Sequence, residues 1–316
     1  MTAGSHANEF RLTRVYDAPL RAVWDAWTIP AQVEQWWGPR GFTLTTHARD
    51  LRPGGIWRFT MHGPDGVDYP NVTRYLVVEP PKRLVYDHGG SDDAPAMFRV
   101  EVRFAEAGGR TTMELRFTLP TPEAAAEMAR RVRHFGGNAT WDRLAEHLEE
   151  RSSGRRCFVV NRTLAAPIAR VYAMWTEPGH LARWLPPPGS TMRFLRAPIE
   201  VGRSTLFVIE GPHGTMHVRA EYLALEPPGR IVYRQQFVDA RERPAPAPGA
   251  PVWPPTLLTT VLLAEEGPDH TRVTVTCEGD VEATAAEVEA FVRERGGMTQ
   301  GWTASFDALE ALTTPV

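Results

Sequence analysis

Residues 15–39 read VYDAPLRAVWDAWTIPAQVEQWWGP, and residues 162–188 read RTLAAPIARVYAMWTEPGHLARWLPPP. Pro19, Trp27, Thr28, Pro30 and Trp36 in the first stretch match Pro167, Trp175, Thr176, Pro178 and Trp184 in the second, each 148 positions further on. One constant offset over that many positions marks an internal duplication. Each copy reads as the end of a strand, a short helix, a break and a second short helix. Pro19 suits the start of a helix, where a missing N–H costs nothing. Val23, Trp24 and Trp27 then fall three and four apart on one face. Pro30 ends that helix and opens the next, which closes on Trp36 and Trp37. Large aromatics at the end of a short helix either plug a core or wall a cavity, and the spacing leaves both open.

The chain has 316 residues, about two ordinary domains by length. It is 42% hydrophobic and 23% charged, with a formal charge of −3. That balance argues against nucleic acid as a partner, because nucleic-acid domains usually carry a basic excess. No apolar run approaches the roughly 20 residues of a membrane span, and MTAGSHANEF lacks a secretory pattern. The two cysteines, Cys157 and Cys277, both lie in the second half. A duplicated fold whose first copy has none does not depend on disulfides, so a cytoplasmic location is expected. A Cys157–Cys277 bridge stays open.

Outward from the opening stretch, the first copy alternates. Trp57, Phe59 and Met61 face one way, with Arg58, Thr60 and His62 the other. Phe98, Val100, Val102 and Phe104 alternate with charged neighbours, and so do Met113, Leu115 and Phe117. This pattern belongs to an antiparallel sheet with one wet face, and the short Gly- and Pro-rich turns imply a meander. A helix follows from Pro122, carrying an apolar stripe through Met128, Val132 and Phe135 to Trp141, Leu144 and Leu148. The stripe slips beside Gly136 and Gly137, a kink or a thin spot. The expected division is a tail at 1–8, a first domain at 9–150, a linker at 151–156 and a second domain at 157–316.

The second copy repeats Glu79, Pro80, Pro81, Arg83, Val85 and Tyr86 as Glu226, Pro227, Pro228, Arg230, Val232 and Tyr233. Its terminal helix again has a glycine pair, Gly296 and Gly297, ahead of Trp302 and Phe306. It departs at residues 239–255, DARERPAPAPGAPVWPP, where the first copy has a short loop. The Pro/Ala composition favours an extended, solvated decoration. The alternative is a lid that places Trp253 at a pocket mouth.

The motifs DAPxxxVWxAWTxPxxxxxWWGP, PGGxWRFxMHGPDG and VxEPPxRLVYDH, with a closing helix ending WDRLAEHL, resemble the bacterial homologues of the heat-shock protein 90 ATPase activator. These belong to the START-like (SRPBCC) superfamily. The match covers residues 9–150 closely and about 156–313 more loosely, the second Trp giving way to Leu185. The resemblance implies an α+β fold of two tandem helix-grip domains. Each is a curved antiparallel sheet of about seven strands around a long C-terminal helix, with a cavity between.

On that basis the cavity set in the first copy is Trp36, Trp37, Trp57, Phe59, Met61, Tyr75, Tyr86, Phe98, Met113, Phe135 and Trp141. In the second it is Trp184, Phe194, Leu206, Val208, Tyr222, Tyr233, Phe237, Trp253, Trp302 and Phe306. These aromatics serve equally as solid core. The implied function is binding of a small hydrophobic or aromatic molecule. A polyketide cyclase or dehydratase is the enzymatic alternative, and a co-chaperone-like module the third. A chaperone partner is doubtful, because the resemblance covers only the activator's C-terminal type of domain. The duplication makes packing of one domain on the other plausible.

Catalytic chemistry is faint in the sequence. No CxxC, HExxH or phosphate loop occurs, and neither a metal nor a cofactor is expected. His62, His88 and His134 are scattered, with Glu210 and Gln235 standing where His62 and His88 would repeat. Acid–base candidates are His88 and Tyr86, with Asp87 beside them, and Glu210 with Tyr233. Strand alternation points Asp87 away from His88.

Overall fold

In the first half β1 (Glu9–Tyr16) leads through α1 (Leu20–Thr28) and α2 (Pro30–Trp36) into a run of strands. These are β2 (Thr43–Arg49), β3 (Ile56–His62), β4 (Asp68–Glu79), β5 (Arg83–Gly89), β6 (Phe98–Ala107) and β7 (Arg110–Thr118). Helices α3 (Pro122–His134) and α4 (Ala139–Ser153) close it. The second half repeats the order with β8 (Phe158–Leu164), α5 (Ile168–Thr176), α6 (Pro178–Trp184), β9 (Thr191–Arg196), β10 (Ser204–Gly211) and β11 (Gly214–Glu226). It continues through β12 (Arg230–Val238), β13 (Leu257–Glu265), β14 (Thr271–Gly279), α7 (Ala285–Arg293) and α8 (Arg295–Thr313). This computed structural model describes residues 7–134, 139–212, 214–267 and 269–313. The chain divides into two units, Met1–Gly154 and Arg155–Val316.

Each unit is one seven-stranded antiparallel sheet, ordered β1-β7-β6-β5-β4-β3-β2 in the first and β8-β14-β13-β12-β11-β10-β9 in the second. The strand before the helix pair and the strand after it therefore occupy opposite edges. The two short helices carry the chain across the sheet, and their apolar faces cover its interior. A bulge recurs at the same place in both sheets, between Tyr75 and Val77 and between Tyr222 and Ala224. Bulges bend a strand and increase its twist, which curves each sheet around its helix.

The helix pairs form for the reasons visible in their sequence. Pro19 and Pro167 are N-caps, and Pro30 and Pro178 open the second helix of each pair. Trp36 Nε1 donates to the carbonyl of Ala26 at 3.0 Å, and Trp184 Nε1 to that of Met174 at 2.9 Å. Each indole locks its helix onto the preceding one while remaining fully buried. Arg143 of α4 then holds the exit from α2, donating to the carbonyls of Gln35, Gly38, Pro39 and Phe42.

The terminal helical stretch is divided. A capping box between Thr284 and Glu287 starts α7. It ends at Glu294 (φ −85°, ψ 0°), and α8 begins at the next residue, with Gly296 and Gly297 in its first turn. In the first half the glycine pair and Phe135 lie outside the described residues. Among the described residues no helix is long and apolar enough to cross a membrane. Neither cysteine is in a disulfide, and both are buried. Cys277 stands opposite Phe158 in the ladder, so Cys157, one residue earlier, faces the other side of the sheet and cannot bridge to it.

Truncating Trp184 to Ala removes a large buried ring and orphans a carbonyl. This is expected to cost about 3–5 kcal/mol, read as a lowered midpoint in equilibrium urea unfolding.

Candidate functional site

A cavity of about 590 Å³ lies between the second sheet and α8. Its sheet side is built by alternation: Phe207 and Ile209 of β10, Met216 and Val218 of β11, Tyr233, Gln235 and Phe237 of β12, and Leu257 of β13. Its helix side follows the 3.6-residue period of α8, with Met298, Gly301, Trp302 and Ser305 in one stripe. Leu185 and Pro187, just after α6, close one end. The walls are predominantly apolar with a few polar groups, the usual make-up of a small-molecule pocket.

The remaining wall comes from the Pro/Ala-rich segment. Ala247, Pro248, Gly249, Ala250 and Trp253 all line the cavity, and Trp253 packs on Phe291 of α7 with ring centroids 5.4 Å apart. This differs from the solvated decoration that composition favours. The segment's root is tied down: the Asp239 carboxylate accepts from the backbone N–H groups of Arg241 and Arg243 and from Arg243 Nε. Arg196 grips Glu242 with two hydrogen bonds of 3.0 and 2.9 Å while its other donors hold Ser204. Hydrogen bonding and proximity to these arginines hold both carboxyls below the ordinary range.

Among the described residues of the first unit, rings crowd the same end. Trp27 stacks on Trp141 (5.6 Å, 11°), and Trp37 lies 5.3 Å from Trp57 and 6.4 Å from Phe59. Trp57 and Phe59 stack at 4.0 Å. Arg49 adds a cation, its guanidinium 4.5 Å from the centre of the Trp57 ring and hydrogen-bonded to the Tyr75 hydroxyl and the Trp27 carbonyl. The second unit keeps the stack, as Trp175 on Trp302 (5.9 Å, 23°). At the 148-residue offset Leu185 stands for Trp37, Thr205 for Trp57 and Ala197 for Arg49. The chain also leaves the helix differently, extended at Trp37 and α-helical at Leu185. Smaller side chains thus stand where the first unit has two indoles and a guanidinium.

The buried phenols, the Cys277 thiol and His88 are held neutral. Burial raises the phenols of Tyr75, Tyr86, Tyr222 and Tyr233 above their ordinary value, with Arg49 pulling partly the other way at Tyr75 and Tyr86. Burial also lifts the Cys277 thiol to about 12, which leaves it inert as a nucleophile. Desolvation takes His88 down to about 4. Its ring stacks on Phe98 at 4.8 Å, and its Nδ1 lies 3.2 Å from Thr73 Oγ1. Asp87 faces away and pairs with Arg99 at 2.7 Å.

Of the candidates read from sequence, Tyr233, Phe237, Trp253 and Trp302 line the second cavity. Trp184, Tyr222 and Phe306 are buried core beside it, and Phe194 is half-buried against Phe207. Leu206 and Val208 belong to the opposite face of β10, because the inward parity there runs through Phe207 and Ile209. Glu210 is likewise outward and exposed, 3.8 Å from Arg193, so it cannot act in the cavity. In the first unit Trp36, Trp57, Phe59, Tyr75, Tyr86, Met113 and Trp141 are buried core, with Trp37, Met61 and Phe98 half-buried against it. Arg49, Leu185, Gln235, Glu294 and Ser305 were not legible as site residues. Only the 148-residue offset carries a signal for Leu185, and it also yields Phe207 and Ile209 from Phe59 and Met61.

His88 binds its proton more weakly folded than unfolded, where the ordinary value is about 6.5. Its contribution to stability is therefore complete above pH 6.5 and is lost as pH falls toward 4. His88→Phe is expected to flatten the decline of Tm between those pH values, measured by thermal scans at matched ionic strength.

Among the described residues no group of three or more His, Cys, Asp or Glu is placed to hold a metal. No curated protein matches the chain. Solved structures resemble it with modest scores. A protein from Arthrobacter aurescens is 26% identical over 46% of this chain and 87% of its own (TM-score 0.42). One from Chromobacterium violaceum is 27% identical over 51% and 98% (TM-score 0.39). The di-domain ARO/CYC BexL from the BE-7585A biosynthetic pathway is 16% identical, covering 98% of this chain and 99% of its own (TM-score 0.40). The family model for activator of Hsp90 ATPase homolog 1-like protein matches residues 17–149 and again residues 165–314. The chain, a tandem pair of START-like helix-grip domains, therefore belongs to the activator of Hsp90 ATPase homolog 1-like family and carries its domain twice.

Proposed function

We propose that this protein binds a small hydrophobic molecule in the cavity of its second domain. One observation carries the reading: an apolar space of about 590 Å³, bounded by sheet, helix and the 239–255 loop. That volume falls within the range of ordinary small-molecule pockets, about 300–1,000 Å³. The first domain's interior, with Trp37, Trp57 and Arg49 in van der Waals and cation–π contact, serves stability in this reading. Binding is favoured over acid–base catalysis because the buried phenols stay protonated, His88 stays neutral at physiological pH and Glu210 faces outward. Of the described side chains lining the cavity, only Tyr233 and Glu294 ionise.

Restoring the first domain's solution tests this. Leu185→Trp is expected to fill the cavity end and weaken binding of an apolar fluorophore such as Nile red by about tenfold or more, the scale of a 1–3 kcal/mol overpacking cost. Native mass spectrometry of the unmodified protein is expected to show a co-purifying small molecule that the variant lacks. Equal fluorophore affinity in a folded Leu185→Trp protein would remove the cavity from the account.

A further inference from the structure

The cavity has a charge asymmetry that narrows its ligand. Among the described residues no lysine, arginine or histidine lines it, and Glu294 is the one charged side chain that does. Glu294 is exposed at the break between α7 and α8, so it stands at the mouth. Its carboxylate folds back over α8, with Oε2 3.6 Å from where a Cβ on Gly297 would sit. It forms no ion pair with the described residues; at the root of the loop Arg196 and Arg243 are engaged by Glu242 and Asp239, and Arg241 is exposed and does not line the cavity. Below it the walls present the faces and edges of Trp253, Trp302, Phe207, Phe237 and Tyr233.

Aromatic faces attract cations through their quadrupole, most strongly where water is excluded. An anion entering this space would lose its hydration, meet no cation and face Glu294. Resting on the binding function proposed above, we infer that the ligand is a hydrophobic organic cation. Its apolar body lies between sheet and α8, and its basic nitrogen sits at the mouth against Glu294 and the tryptophans. Fatty acids, aryl carboxylates and phosphate esters are rejected by the same geometry.

A matched series on one aromatic body tests this by calorimetry on the full chain: 2-naphthylmethylamine as cation, 2-ethylnaphthalene as neutral form and 2-naphthoate as anion. The amine is expected to bind about tenfold tighter than the neutral compound, the scale of one cation–π contact with a carboxylate nearby, and the carboxylate weakest. Glu294→Gln is expected to reduce the amine's advantage over the neutral compound, with an unchanged far-UV circular dichroism spectrum reporting that the variant is folded. Equal affinities for amine and carboxylate, or an amine advantage undiminished in Glu294→Gln, would overturn the cation assignment and leave the cavity standing. Failure of all three compounds to bind would overturn the binding function itself.

Discussion

Both domains depend on a single topological demand: the strand that enters the helix pair and the strand that leaves it lie at opposite edges of the same sheet. Fewer than thirty residues must span the sheet and seal it on the way. The solution is two short helices broken by a proline and held by one indole hydrogen bond each, Trp36 to Ala26 and Trp184 to Met174. Helices this short gain little from their own backbone and need tertiary packing to persist. The tryptophans supply it, which explains why their positions survive in both copies when most of the surrounding sequence has changed.

Duplication then allowed the two interiors to part ways. The first holds its rings in mutual contact, at 4.0–6.4 Å between centroids from Trp37 through Trp57 to Phe59, with Arg49 among them. The second has the Trp175–Trp302 stack as a wall and smaller side chains at the neighbouring positions. A close-packed interior loses dispersion and transfer energy when large side chains shrink, so the second domain gives up stability at this point. The loop from 239 to 255 offsets part of that by laying Trp253 on Phe291 and covering what would otherwise be an open groove.

Much of the architecture was legible before any coordinates. Alternation in β3, β6 and β7 and the repeated prolines and tryptophans carried the strand order and the tandem arrangement, because those elements have one wet face and strict turn chemistry. The site was less legible. Residues 206–209 read LFVI, an unbroken apolar run whose period distinguishes neither face. Leu206 and Val208 were therefore read as lining when Phe207 and Ile209 do that. Glu210 inherited the same parity error. For the loop, composition favours a solvated decoration and leaves the lid with Trp253 at a pocket mouth as the alternative, because it records the propensity of a segment and not the anchors that neighbours provide, here Arg196 to Glu242. Glu294 carries no local pattern at all; it matters only because the helix breaks beside a cavity.

The position of that loop in the ladder has its own consequence. Strands β12 and β13 pair from Arg230 opposite Leu262 to Gln235 opposite Leu257, so everything from the end of β12 to the start of β13 lies past the last rung. Chain can be added or removed there without moving any register, and lengthening a surface connection costs little entropy, about 0.6 kcal/mol for each doubling. The part of the molecule that shapes the chamber's ceiling thus lies outside the β12–β13 ladder. Selection can retailor the one freely while the other stays as it was.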